Sequence, residues 1–117
     1  MKVSEIAKIL DAEILCGSEH LDNEVKSACG SDMMSDVLAY VKDQSVLLTG
    51  LCNPQVIRTC EMMDMKCIVF VRNKKPDKLV LDMAVEKGIV VLCSHYRMYS
   101  ACGLLYSAGL GAGENKV

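Results

Sequence analysis

Three short apolar segments follow one another at similar intervals along the chain: SVLLTG at 45–50, CIVFV at 67–71 and GIVVLC at 88–93. None of them alternates between apolar and polar residues. All three contain valine, and the second and third also contain isoleucine. Runs of this kind are typical of β-strands that are buried on both faces of a sheet. The pattern therefore predicts three central strands.

Amphipathic segments separate and follow these strands. In 54–65 the apolar residues recur at helical spacing, and Asn53 is the predicted N-cap of this helix. The segment 77–87 has the same pattern and is followed by Gly88, a residue typical of helix C-termini. A third helix is predicted at 96–108. Strands and helices that alternate in this order predict βαβ units with parallel strands.

The N-terminal part of the chain has shorter elements. An amphipathic helix is predicted at 3–10, and two short strands are predicted at 13–16 and 25–29. Either Ser31 or Asp32 is the expected N-cap of a further helix that follows the second of these strands. These elements extend the sheet beyond its three central strands.

Together the elements predict an α/β fold, namely a three-layer α/β/α sandwich with a mostly parallel sheet of about five strands. We expect residues 1–110 to form this single domain. The segment 111–117, GAGENKV, has almost no apolar content, and it is predicted to be a disordered tail.

The composition narrows the range of functions. A length of 117 residues corresponds to one domain. The net charge of −2 and the few aromatic residues give neither the basic surface nor the stacking platform of a nucleic-acid-binding protein. No apolar run reaches the length of a membrane helix, and residues 1–11 lack the apolar stretch of a signal peptide. We therefore expect a cytoplasmic protein that binds neither nucleic acid nor membrane.

The seven cysteines allow two interpretations. They have no close spacing of the C-x2-C type, so no metal site is predicted, and most of them are expected to be core residues. However, Cys29, Cys52 and Cys93 fall at or just beyond the ends of predicted strands, where a helix dipole could lower the pKa of a thiol. A redox or iron–sulfur function of these three residues therefore stays open.

Motifs of the common enzyme classes are missing from the sequence. There is no G-x-x-x-x-G-K-[ST] and no G-x-G-x-x-G after a strand. H-E-x-x-H and G-x-S-x-G are also missing. The sequence thus predicts no catalytic residues and no cofactor, and it favours a binding function over an enzyme of an unrecognised type.

Ligands of open parallel sheets bind beyond the carboxyl ends of the strands. The helix N-termini that begin there present free N–H groups, which favour anions. The predicted strands bring four loops to this edge, at 29–31, 49–53, 72–75 and 93–96. The candidate ligand-binding residues within these loops are Thr49, Gly50, Asn53, Arg72, Asn73, Ser94 and His95.

These candidates also have purely structural interpretations. Asn53 could cap a helix without any ligand, and Thr49 with Gly50 could form only a turn. Arg72 could belong to a solvated loop. His95 has no obvious carboxylate partner in the sequence and could be an ordinary surface residue. The sequence leaves these alternatives open.

Nearly the whole chain is covered by five segments with a recognisable order and spacing: VSEIAKILDAEILCG, MMSDVLAYV, LLTGLCNPQVIRTCEM, CIVFVRNKKPDKLVLDMAVEKGIVVLCSHY and YSACGLLYSAGL. In this order and spacing the chain resembles the DRTGG domain family. This family is a small α/β module that is also related to the N-terminal domain of HPr kinase/phosphorylase.

The chain departs from the motif that gives the family its name. That motif consists of an Asp-Arg pair in one turn and a Thr-Gly-Gly sequence in another. Here the first position reads Asn53-Pro54 and the second reads Val71-Arg72-Asn73. Two side chains therefore stand where the family has glycines, and a ligand of the Gly-Gly loop cannot be carried over to this chain.

The resemblance implies a non-catalytic regulatory or protein-interaction module. In larger relatives the module is joined to enzymes such as phosphotransacetylase or pyrophosphatase, while stand-alone members occur in anaerobic bacteria, often near iron hydrogenases. For this chain it implies sensing of a small anionic metabolite or binding of a partner enzyme. The alternative is a redox- or metal-linked accessory protein of that anaerobic metabolism, acting through Cys29, Cys52 or Cys93.

Surplus apolar surface near the C-terminus predicts a homodimer, which the family resemblance also implies. The last helix has apolar side chains on several faces, from Leu104, Leu105, Tyr106 and Leu110. This apolar surface is larger than a single contact with a sheet requires. The alternative is that this helix buries a wide arc within its own domain.

Overall fold

The computed structural model describes residues 1–41 and 44–113. Within these residues there are five strands: β1 (Glu13–Cys16), β2 (Ser27–Gly30), β3 (Ser45–Thr49), β4 (Cys67–Phe70) and β5 (Val90–Cys93). The α-helices are α1 (Val3–Ile9), α2 (Met34–Tyr40), α3 (Pro54–Met62), α4 (Lys78–Glu86) and α5 (Met98–Ser107). No helix in this part of the chain is long and apolar enough to cross a membrane.

The described strands form a sheet with the order β1-β5-β4-β3-β2. β2, β3, β4 and β5 are parallel, and β1 pairs antiparallel with β5. In the register of the sheet, Thr49 pairs with Phe70 and Phe70 pairs with Cys93. The last three parallel strands therefore end at the same level, and their carboxyl ends share one edge. The predicted, mostly parallel five-stranded sheet is confirmed.

Helices cover both faces of this sheet. α1 and α5 pack against one face, and α2, α3 and α4 pack against the other. Leu47 and Leu48 are neighbours in β3 and both are fully buried, but they belong to opposite layers. Successive side chains of a strand point to opposite faces, so the interior positions of these strands must be apolar, while β3 begins and ends with the buried polar residues Ser45 and Thr49. This requirement explains the unbroken apolar runs, and the three-layer α/β/α sandwich is confirmed.

The helix N-termini at the shared edge differ in how they are capped. The Asp77 carboxylate caps α4 by accepting a hydrogen bond from its first turn. Asn53 occupies the N-cap position of α3, as predicted, but its side chain makes no capping hydrogen bond. α2 begins after Met33. The prediction that Ser31 or Asp32 is its N-cap is therefore wrong.

The end of the described chain still contacts the sheet. The backbone N–H of Ala28 in β2 donates to the carbonyl oxygen of Gly111 at 2.9 Å. Of the segment 111–117, which was predicted to be a disordered tail, residues 114–117 lie outside the described residues.

Candidate functional site

Arg72 and Gly50 meet at the shared carboxyl edge, at the ends of the neighbouring strands β4 and β3. The guanidinium group lies directly over the glycine, because a β-carbon placed on Gly50 would be 2.3 Å from Arg72 Nη2. A β-carbon at this position would displace the end of the arginine side chain, so glycine permits this close approach. The structure thus brings together two of the residues that were predicted for the site.

The backbone of Arg72 and Asn73 is left-handed, with φ of 59° and 56°. This region favours glycine, and the two residues occupy the position of the Gly-Gly pair in the motif described above. Their N–H groups donate to the carbonyl oxygens of Tyr96 and Ser94, each at 2.8 Å. The turn after β4 is therefore held against the loop after β5, and it keeps the conformation of a glycine turn while adding two polar side chains.

Arg72 is exposed, and it has no ion-pair partner in the described part of the chain. Lys75, in the same loop, does have a partner, the carboxylate of Glu13 at 3.0 Å. A guanidinium group presents several N–H donors in a fixed fork that suits carboxylate and phosphate oxygens. The guanidinium group of Arg72 can therefore bind an anionic group of a ligand.

Asp32 lies at the candidate site, although it is not among the ligand-binding residues predicted from the sequence. Its Oδ1 atom accepts a hydrogen bond from Thr49 Oγ1 at 2.9 Å and another from the N–H of Gly50 at 2.7 Å. The carboxylate thus joins the loop after β2 to the end of β3. The expected edge ended at Ser31, one residue earlier. The same strand-end argument, extended by one residue, would have included Asp32.

Asn53 presents an unsatisfied acceptor at the start of α3. Its Oδ1 atom is buried and has no hydrogen-bond partner among the described residues. A buried polar atom without a partner destabilises a fold by about 1–3 kcal/mol, so most such atoms in proteins are paired. A donor from a ligand or an ordered water can satisfy this oxygen.

Ser94 and His95 differ from the other predicted site residues. Ser94 is fully buried. Its hydroxyl donates to the carbonyl oxygen of Leu10 at 2.8 Å and accepts from the N–H of Tyr96 at 3.3 Å, so it is engaged within the fold. His95 is exposed, and its Nδ1 lies 4.0 Å from a carboxylate oxygen of Asp11. No carboxylate partner of His95 is obvious in the sequence, and the fold brings Asp11 to it from the turn after α1.

The thiols at the shared edge are poor nucleophiles. Burial raises the pKa of Cys29, Cys52 and Cys93 above its ordinary value. Lys74 and Arg72 lower the pKa of Cys52, but their effect is smaller than that of burial. The expectation of a lowered thiol pKa is therefore wrong, since removal of a thiolate from water outweighs the nearby positive charges.

The described residues also provide no metal site. No group of three or more His, Cys, Asp or Glu side chains within 1–41 and 44–113 is placed to hold a metal ion. The redox- or metal-linked alternative therefore has no support from the thiol chemistry or from the arrangement of possible ligands.

Comparison with known proteins identifies a family. The sequence model of the DRTGG domain matches residues 5–108, which is most of the chain. No curated protein matches this sequence.

A solved structure has the same fold. The chain is similar to the CBS and DRTGG domains of the regulatory region of a Clostridium perfringens pyrophosphatase, crystallised in complex with its activator, diadenosine tetraphosphate. The TM-score is 0.72 at 13% sequence identity, and the match covers 99% of this chain and 52% of that one. This chain thus spans about half the length of that region. At this identity the similarity establishes the fold alone.

Two substitutions of Arg72 separate its backbone conformation from its side chain. Arg72→Gly and Arg72→Ala both remove the guanidinium group, but only glycine relieves the left-handed strain. We expect Arg72→Gly to be about 1 kcal/mol more stable than Arg72→Ala in urea unfolding. The same pair at Lys74, whose φ is not positive, should give the opposite order, because glycine there only adds freedom to the unfolded chain. Equal stabilities of the two Arg72 variants would contradict the left-handed turn.

Thiol labelling tests the burial of the cysteines. Burial raises the pKa of Cys60 to about 12 and raises that of Cys67 further. With iodoacetamide near neutral pH, we expect Cys60 and Cys67 to react only after unfolding in urea, as peptide mass spectrometry would show. Cys52 should react in the folded protein, but more slowly than free cysteine at the same pH. Labelling of folded Cys52 faster than free cysteine would reveal a thiolate and restore the redox interpretation.

Proposed function

Because the chain belongs to the DRTGG domain family, we propose that it is a non-catalytic, cytoplasmic regulatory module that senses a small anionic metabolite at the carboxyl edge of its sheet. The observation that supports this most directly is the guanidinium group of Arg72. It lies over Gly50 without an ion-pair partner among the described residues. An exposed cation that is positioned by a strained turn and left unpaired is suited to bind an anion.

The proposed binding surface combines three loops. Arg72 and Asn73 contribute a cation and an amide from the turn after β4, and Gly50 allows the ligand and the guanidinium to approach the backbone. Thr49 is held in place beside Gly50 by its hydrogen bond with Asp32. The exposed His95 ring forms the border of this surface and can contact a bound ligand, while the buried Ser94 supports the turn from within the fold.

The ligand class follows from the anion site and from the similar structure. The pyrophosphatase regulatory region was crystallised with diadenosine tetraphosphate, an adenosine nucleotide that is rich in phosphate groups. Phosphate oxygens are good acceptors for the fork of an arginine. We therefore propose an adenosine nucleotide as the anionic metabolite. We propose a partner enzyme as the protein that responds to it.

Binding of nucleotides tests this proposal. ADP and diadenosine tetraphosphate should each raise the melting temperature of the protein, since a ligand at 100 times its Kd adds about 2.7 kcal/mol of stability. Arg72→Gln should weaken binding about tenfold in calorimetry, because it removes one charge-assisted contact. The matched control is Arg58→Gln, which removes the same charge from the exposed side of α3. Equal affinities of the two variants, or no binding to the wild type, would reject the proposed site.

We further propose that the chain forms a homodimer through α5. Tyr99 is 91% exposed and Tyr106 is 71% exposed, and Leu104 is 37% exposed beside them. Together with neighbouring residues these side chains line a groove of 690 Å³ along the helix. Aromatic side chains are enriched at protein interfaces, and contiguous exposed apolar patches commonly mark such sites. A second copy of the chain would cover this surface and remove it from water.

Substitutions on α5 test the dimer. The wild type should sediment as a dimer at tens of micromolar, and both Leu104→Glu and Tyr106→Glu should sediment as monomers, because a buried charge without a partner is strongly unfavourable at an interface. Leu79→Glu is the control, since Leu79 is an exposed leucine on α4, on the other side of the sheet. A monomeric wild type, or a dimer that persists in both α5 variants, would refute this interface.

A further inference from the structure

The carboxylate of Asp32 is held in one orientation, and one of its oxygens is free. Both hydrogen bonds, from Thr49 Oγ1 at 2.9 Å and from the Gly50 N–H at 2.7 Å, end on the Oδ1 atom. Within the described parts of the chain, Oδ2 has no partner, and the residue is exposed. A carboxylate with one fixed and one free oxygen is a preorganised acceptor, since its orientation does not have to be restricted when a ligand binds.

Asp32 and Arg72 approach the same residue but do not pair. The carboxylate of Asp32 accepts a hydrogen bond from the N–H of Gly50, and the guanidinium group of Arg72 lies over the α-carbon of the same glycine. Even so, the two charged groups form no ion pair among the described residues. Opposite charges that contact one glycine without an ion pair between them can each interact with a different group of one ligand.

A simple anion does not satisfy all the polar groups at this edge. A bare phosphate would bind Arg72, but it would be repelled by the carboxylate of Asp32. A ligand that also has hydroxyl or amino hydrogens can donate to Asp32, and either such a ligand or an ordered water can donate to the buried Oδ1 of Asn53. The side chains therefore favour an anionic group and a hydrogen-bond donor on the same molecule.

We propose that Asp32 determines specificity by accepting a hydrogen bond from a sugar hydroxyl of the ligand while Arg72 binds its phosphate, so that the site selects phosphorylated sugars such as nucleotides over inorganic anions. This inference rests on the anion site proposed above and adds a second contact to it. A site with a fixed carboxylate discriminates strongly against an analogue that lacks the hydroxyl, because the carboxylate would then lose its water without gaining a partner.

The experiment combines one substitution with three probes. Asp32→Asn retains a carbonyl oxygen that can accept from Thr49 and Gly50, but it removes the charge. Calorimetry would compare ADP with 2′,3′-dideoxy-ADP, which lacks both ribose hydroxyls, and would include pyrophosphate as the anion alone. The wild type should bind ADP about tenfold more tightly than dideoxy-ADP. In Asp32→Asn this preference should disappear, while the affinity for pyrophosphate is retained or increased.

The outcomes distinguish this inference from the proposal on which it rests. Pyrophosphate binding that is lost in Arg72→Gln, together with equal affinities of the wild type for ADP and dideoxy-ADP, would overturn the role of Asp32 and leave the anion site intact. An Asp32→Asn variant that binds all three probes more tightly by the same factor would show that Asp32 merely repels anions, and it would also overturn the inference. Failure of the wild type to bind any of the probes would reject both. The melting temperature of each variant verifies that it is folded.

Discussion

The turn that follows β4 determines the geometry of the whole carboxyl edge. Its two left-handed residues, Arg72 and Asn73, donate their N–H groups to carbonyl oxygens of the loop after β5. Within that loop the hydroxyl of Ser94 donates to Leu10, at the end of α1. A continuous series of hydrogen bonds therefore runs from α1 through the β5 loop to the turn after β4. Together with the hydrogen bonds from Cys93 Sγ to Asn73 Oδ1 and to the carbonyl oxygen of Lys74, this series holds the Arg72 backbone in an unfavourable region.

The strain of this turn is informative because the fold does not need the side chains that cause it. A glycine pair would adopt the same backbone at lower cost, as the Thr-Gly-Gly motif of the family indicates. The chain has the glycine conformation at Arg72 and Asn73 but not the glycines. What it gains is a guanidinium group over the neighbouring strand end, which glycine cannot provide. Strain retained beside an unpaired cation is more readily explained by ligand binding than by stability.

The fold could be predicted from the sequence because its signals are local, whereas parts of the site depend on contacts between distant residues. Unbroken apolar runs follow from burial on both faces. The rule that ligands bind at strand ends placed Thr49, Gly50 and Arg72 at one edge, and in the structure they lie there together. The contact of Asp32 with Thr49 requires β2 to lie beside β3, which the apolar pattern does not specify. The contact between His95 and Asp11 likewise depends on β1 closing the opposite edge of the sheet.

A sensor also needs a physical connection between its ligand site and the surface that a partner contacts, since a ligand changes an equilibrium only through states that it binds differently. Tyr96 provides such a connection here. Its carbonyl oxygen accepts the N–H of Arg72, and its side chain lines the groove along α5. Tyr96 thus belongs to both the proposed ligand site and the proposed dimer surface, which are neighbours in the structure although they differ in chemistry. A proposed ligand would act on the dimer surface through this hydrogen bond if it bound two arrangements of the turn after β4 with different affinities.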